Sequence, residues 1–268
     1  MKKITTAVLA TFALAAPAVA ADLGGLKKAP PAPVVVSPWD FAVGGKLMSD
    51  YNFRGISQSD RGAAVTAYGE IRYNLSDSYQ LYAGAQGWSV KLPTDPTMEL
   101  DLYAGVRPTF GALALDIGVM QYVYPNELRT VAPYQTDFTE VYGKGTYTIN
   151  DMFTVGANLF YTPDWLGTGA SGTYASATAK ATLPGNFSVS GELGRYMFGT
   201  PNAGFTTEDY TYWNAGVSYA YKFATLDLRY HDTTLKSGTC LAMAGGAKWC
   251  GAAYIATLSF DLTSKDIR

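Results

Sequence analysis

From Trp39 to Phe260 the chain alternates hydrophobic and polar side chains in stretches of roughly ten to thirteen residues, each ended by a turn. The first stretch is the clearest. Trp39, Phe41, Val43, Leu47, Tyr51 and Phe53 share one parity, while Asp40, Lys46, Asp50, Asn52 and Arg54 share the other. Successive side chains of a strand point to opposite faces, so such a stretch has one apolar face and one charged face. About eleven residues of tilted strand also suffice to cross a bilayer. A soluble sandwich would show the same alternation, so the links between strands must decide.

Those links alternate in length. Long ones fall at 55–62, 91–97, 125–136, 163–172, 199–209 and 236–250, and short ones at 75–78, 111–112, 150–152, 184–186 and 222–224. Barrels of the outer-membrane type carry short turns on one rim and longer loops on the other. Greek-key sandwiches do not sort their links this way. The sequence therefore predicts an all-β chain, a single up-and-down antiparallel transmembrane β-barrel of about 12 strands over residues 39–262, with a tail at 263–268. An even strand number places both ends of the barrel at the periplasmic rim.

A charge facing lipid costs about 2–4 kcal/mol at the bilayer midplane, so the charged parity is assigned to the lumen. The predicted channel lining then holds Asp40, Asp50, Glu70, Glu99, Asp101, Asp116, Glu140, Glu192 and Asp227. Against these acids stand Lys46, Arg54, Arg72, Arg107, Lys144, Lys180 and Arg229, and the phenols of Tyr103 and Tyr122 join them. Two positions break the pattern: Trp88 shares the face of Gln80 and Gln86, and Arg195 falls on the apolar parity near a membrane edge. Twelve tilted strands give a backbone diameter of ~24 Å and a bore of ~10 Å once side chains are subtracted. Inward Tyr82, Tyr142, Phe160 and Tyr174 are bulky enough to close it. The near balance of inward charge has two readings. Either cross-strand ion pairs brace the wall, or a transverse field orients polar solutes with a weak cation preference.

Composition narrows the class. Over 268 residues, 48% hydrophobic content and a mean hydropathy of +0.00 are too polar for a bundle of membrane helices. They suit strands that show lipid at every second residue, and the count of 20 tyrosines suits interfacial girdles. Residues 1–20 read as a signal peptide: Lys2 and Lys3, an apolar run, then Ala18-Val19-Ala20. Export to the outer membrane follows. Residues 21–38 form a Pro-rich segment with Pro30, Pro31, Pro33 and Pro38, expected in the periplasm. Removing Lys2 and Lys3 changes 20 basic against 22 acidic residues into 18 against 22, or −4. Mild acidity gives no footing for nucleic acid.

Cys240 and Cys250 lie in one link, and an oxidising compartment predicts a disulfide between them; two free thiols are the alternative. A metal would need two further ligands, and none is near in sequence, so neither metal nor other cofactor is expected. His231 is the only histidine, and no serine-nucleophile motif surrounds it, so no enzyme is expected.

The stretch Ser49-Asp50-Tyr51-Asn52-Phe53-Arg54-Gly55-Ile56-Ser57-Gln58-Ser59 resembles the first strand and loop of the TorF-type porins of proteobacteria. Further similarity covers Leu100-Asp101-Leu102-Tyr103-Ala104-Gly105, Tyr124-Pro125-Asn126, Glu140-Val141-Tyr142-Gly143 and Tyr161-Thr162-Pro163-Asp164. The resemblance implies an outer-membrane barrel of porin type with no settled substrate. Asp261 to Arg268, beyond Phe260, departs from barrels that finish on an aromatic residue. The expected function is a channel passing ions or small polar solutes, with outer-membrane lipid, lipopolysaccharide and the barrel-insertion machinery as partners. A homo-oligomer is compatible with this. The alternative is a non-conducting structural or adhesion barrel that binds a ligand or surface through loops such as 199–209 and 236–250.

Overall fold

The computed structural model describes residues 37–128, 135–264 and 266. The expected signal peptide, nearly all of the Pro-rich segment and most of the tail lie outside the described residues. Twelve strands of ten to thirteen residues form the wall. They are β1 (Trp39–Met48), β2 (Ala64–Ser76), β3 (Tyr79–Trp88), β4 (Glu99–Phe110), β5 (Leu113–Val123) and β6 (Phe138–Thr148). After these come β7 (Phe153–Thr162), β8 (Gly172–Thr182), β9 (Phe187–Phe198), β10 (Tyr210–Tyr221), β11 (Ala224–Thr233) and β12 (Ala253–Thr263). Each pairs antiparallel with its sequence neighbours, and β1 closes the ring on β12 from Ala42↔Thr263 to Met48↔Thr257. The expected closed, twelve-stranded up-and-down barrel is what the chain forms.

The parity argument rests on what each face meets. Phe41, Val43, Val65, Ile71, Leu193 and Leu228 point outward and are exposed, a continuous apolar surface that only hydrocarbon covers favourably. Aromatic residues gather beside the short turns. Trp39 packs on Tyr73 (4.8 Å between ring centres), Tyr79 on Phe110 (6.0 Å) and Phe187 on Tyr219 (4.9 Å). That girdle marks one membrane interface. Inside, large rings need room on the neighbouring strand. A Cβ on Gly118 would lie 2.7 Å from the Tyr142 hydroxyl, so only glycine lets that ring lie flat on the wall.

The structure corrects the first strand. β1 ends at Met48, and residues 49–63 leave the wall. Asp50 and Arg54 therefore do not belong to a wall strand, and Tyr51 and Phe53 do not face lipid. Asn52–Phe53 pairs instead with Ile56–Ser57 in a small ladder. Its turn is Arg54 and Gly55, whose φ of 48° and 91° match a two-residue type I′ turn. A Cβ on Gly55 would collide with Thr233 and approach Tyr212 Cδ2 at 2.8 Å, so this position takes glycine for space as well as for conformation. A hairpin alternates with the same period as a wall strand, which is why the pattern ran on.

The two exceptions to parity have local causes. Trp88 faces inward, stacked on Tyr51 at 4.1 Å, and its Nε1 donates to Asp101. Arg195 faces outward and lies 3.6 Å from Asp209 at the long-loop rim.

The loops at that rim are tied together. A disulfide joins Cys240 and Cys250 across a link that also contains helix α1 (Ser237–Ala244), which the sequence did not signal. Arg61 donates to the carbonyls of Lys248 and Gly251. Lys91 and the Trp249 indole both donate to Asp60, and they hold its carboxyl below the ordinary carboxylate range.

Two predictions follow from this wall and rim. Ile71, 61% exposed near the middle of β2, should tolerate arginine poorly. Ile71→Arg should cost about 2–4 kcal/mol in equilibrium unfolding from lipid vesicles. An unchanged transition would show that this face is not in hydrocarbon. Because the Asp60 pKa is depressed in the folded chain, its tie is complete above about pH 4 and is lost as pH falls through the lowered value. Trp249 fluorescence should therefore change on acidification in the parent and already be shifted at neutral pH in Asp60→Asn.

Candidate functional site: the lumen and its inward-folded hairpin

Arg54 crosses the bore. Its hairpin leaves the end of β1, yet Nη1 and Nη2 donate to Oε1 and Oε2 of Glu140 at 2.6 and 2.8 Å. Glu140 lies on β6, five strands away around a ring of twelve. The carboxylate is 0% exposed and Arg54 8%. Four rings enclose the guanidinium carbon: Phe160 at 4.5 Å, Phe53 and Tyr174 at 4.6 Å, and Tyr196 at 5.0 Å. Tyr122 donates to Glu140 Oε2 at 3.0 Å, and Tyr210 donates to the Arg54 carbonyl at 3.1 Å.

The flanks of the hairpin are anchored in the same way. Tyr51 and Tyr124 each donate to one oxygen of Glu99, at 2.6 and 2.9 Å. Asp50 is bound within the hairpin segment itself and accepts from Ser57, Ser59 and Arg61 at 2.5, 2.9 and 3.3 Å. These contacts fill the long-loop half of the lumen with buried side chains. Their fit is incomplete: Asn52 Nδ2 and Asp101 Oδ1 are buried without a hydrogen-bond partner in the structure. Each such group costs about 1–3 kcal/mol, which offsets part of what the latch contributes.

Toward the short turns the lumen opens into two polar cavities. One, of about 440 Å³, is bordered by Gln80, Arg107, Asp116 and Lys144. The other, of about 370 Å³, is bordered by Lys180, Ser190, Glu192, Asn214 and Arg229. Around the first, Arg107 grips Glu70 with two bonds of 2.7 and 2.9 Å, and Arg72 reaches the same carboxylate at 2.5 Å. Tyr82 donates to Asp116 and shares a 2.5 Å bond with the Tyr142 hydroxyl. Lys144 approaches Asp116 at 3.8 Å. Around the second, Arg229 bridges Asp227, Asn214 and Ser190, while Glu192 accepts from Tyr174 and Asn214.

Most residues assigned to the lining thus fall into three groups. Arg54, Glu140 and Tyr122 form the latch. Glu70, Arg72, Arg107, Asp116 and Lys144 form one ion-pair network, with Asp40 joining at 3.8 Å through Arg72 and Tyr103 packed beside Tyr82 at 6.2 Å. Arg229, Glu192 and Lys180 flank the second cavity, and Asp227 accepts from Arg229 behind it. Lys46 stands alone over the Trp88 ring at 5.8 Å. The sequence reading missed Tyr51, Tyr124, Tyr210 and Asn214. The one available signal was Arg54-Gly55, a weak hairpin dipeptide inside a polar run.

His231 Nδ1 lies 2.8 Å from the Tyr212 hydroxyl, which also accepts from Asn214. Among the described residues, no three His, Cys, Asp or Glu side chains gather in a way that could hold a metal ion.

Solved structures with the same architecture are remote in sequence. The NanC porin superposes with a TM-score of 0.51 at 10% identity, over 83% of this chain and 100% of that one. The COG4313 outer-membrane channel from Pseudomonas putida F1 gives 0.50 at 12% identity, over 88% and 100%. At such identities the likeness shows the fold alone. No curated protein matches the chain by sequence. A family model does match, over residues 33–260, and the chain belongs to that family, described as a bacterial protein of unknown function (Gcw_chp).

Proposed function

We propose that this chain is an outer-membrane, porin-like channel for ions or small polar solutes, held shut in the present structure by its own 49–63 hairpin. One observation carries the reading. A charged residue on a mobile kind of element, a loop, is docked across the bore above two polar cavities that face the short-turn rim. A wall braced only for strength would not need a loop-borne arginine at its centre. The TorF-type resemblance of the hairpin sequence supports the same assignment. So do the outward apolar belt and the signal-like start, which point to the outer membrane. With the hairpin displaced, and Asp50 and Arg54 displaced with it, the wall keeps eight inward acids against six inward bases, a weak preference for cations.

The density of the latch favours a second reading, a permanently closed barrel that acts through its loops. The two readings part at the latch. Arg54→Ala alone leaves Glu140 buried without its partner, at a cost of about 3–5 kcal/mol, and perturbs the wall as well as the hairpin. The pair Arg54→Ala with Glu140→Gln removes both charges. In planar bilayers the parent should open rarely, and the double variant should raise open probability by roughly tenfold or more while keeping its heat-modifiable migration. Silence in both proteins over a wide voltage range would favour the closed, adhesive barrel. In the open variant, reversal potentials under a KCl gradient should show the cation preference, and Glu192→Gln should reduce it.

A further inference from the structure

Above the hairpin the loops enclose a hollow whose chemistry is unlike that of the lumen. Its volume is about 290 Å³, and its floor is the hairpin itself through Phe53 and Ile56. Trp165, Phe138, Tyr124 and Trp249 stand around it as flat walls, and Met243 of α1 closes one side. Among the described residues no Asp, Glu, Lys or Arg borders it, whereas both lumen cavities are bordered by acids and bases. The polar groups it does offer are neutral: Gln58, Thr94, Thr136, Thr168 and Thr206.

The walls are also held in place. Trp165 packs on Phe198 at 4.8 Å, and its backbone N–H donates to the Ala170 carbonyl at 2.7 Å. Trp249 donates to Asp60 at 2.9 Å, next to the Cys240–Cys250 disulfide. A preformed site loses little on ordering when a ligand arrives.

We propose that this hollow binds a small uncharged aromatic molecule. Flat rings on the walls reward a flat apolar body, through burial and through offset or edge contacts. The scattered hydroxyls and the single amide suit a hydroxyl or carbonyl on the ligand. An ionised group would give up its hydration and find no countercharge among the described lining residues. The volume sits at the lower end for small-molecule sites, which limits the ligand to one or two rings. Tyr196 and Tyr210 border the hollow and also hold Arg54, so an occupant touches the residues that keep the hairpin docked. The binding claim itself does not require the lumen to conduct.

The test uses the full chain in lipid nanodiscs, with 1-naphthol as the neutral probe and 1-naphthoate as its charged counterpart, measured by equilibrium dialysis against empty nanodiscs. Saturable binding of 1-naphthol is expected at about one per chain, with 1-naphthoate weaker by about tenfold or more. Thr206→Trp should fill the hollow from one side and Ala244→Trp from another. Each should weaken 1-naphthol by at least about tenfold while barrel migration stays unchanged. The second variant keeps the test valid if the first does not fold. Uptake that merely matches empty nanodiscs overturns the proposal. So does equal binding of the two probes, or unchanged binding in both folded variants. Because the readout is occupancy, a channel that never opens leaves this result intact, and a conducting channel without the site leaves the proposed transport intact.

Discussion

Glu140 is a carboxylate with no exposed surface, placed on the far side of the barrel from the loop that neutralises it. Two charges removed from water are tolerated only where geometry is good and the remaining lone pairs are filled. Here both carboxylate oxygens accept from Arg54, a tyrosine donates a further bond, and four rings surround the guanidinium. The same pairing holds Arg54 in a left-handed backbone conformation that costs a side-chain-bearing residue about 1–3 kcal/mol. The upper lumen is organised around this one contact, because a hairpin pinned at its turn leaves Tyr51, Tyr196 and Tyr210 only a narrow set of positions.

Below the latch the logic changes from closure to balance. Glu70 answers two arginines, Asp116 answers an arginine, a lysine and a tyrosine, and Arg229 reaches one acid and two neutral partners. Charges paired along a wall leave the space between them free for water, and the two polar cavities lie there. One barrel thus contains a desolvated charge pair near its long-loop rim and solvated networks near its short-turn rim. Above both lies the aromatic hollow. Along the axis the environment changes from aromatic, to a buried charge pair, to ionic.

The barrel itself was legible because its cause is periodic. A two-residue repeat interrupted by links of alternating length has few physical solutions, and the strand number follows from counting those links. The inward charges on β2, β4, β6 and β11 were legible for the same reason, since parity alone aims them. The hairpin was not. Tyr51-Asn52-Phe53-Arg54 continues the alternation of β1 without a break, so the pattern holds the same value whether the chain stays in the wall or folds into the bore. What separates the two is a positive φ at Arg54 and Gly55 and a partner on a strand more than eighty residues later, as the separation of 86 between Arg54 and Glu140 shows. The first leaves only the weak trace of Arg54-Gly55 in local sequence, and the second leaves none. The aromatic hollow was hidden for a related reason: its lining comes from all six long links and from the ends of wall strands, each ordinary alone.

A pin that runs from the end of β1 to β6 also has a mechanical meaning. A ring of twelve strands flattens easily, because each pair of neighbours can hinge slightly about its hydrogen bonds. A spoke fixed at both sides of the rim resists that flattening along its own direction. While Arg54 stays seated, the span between the end of β1 and β6 is fixed near the long loops. When it leaves, the wall around β6 gains the freedom to deform.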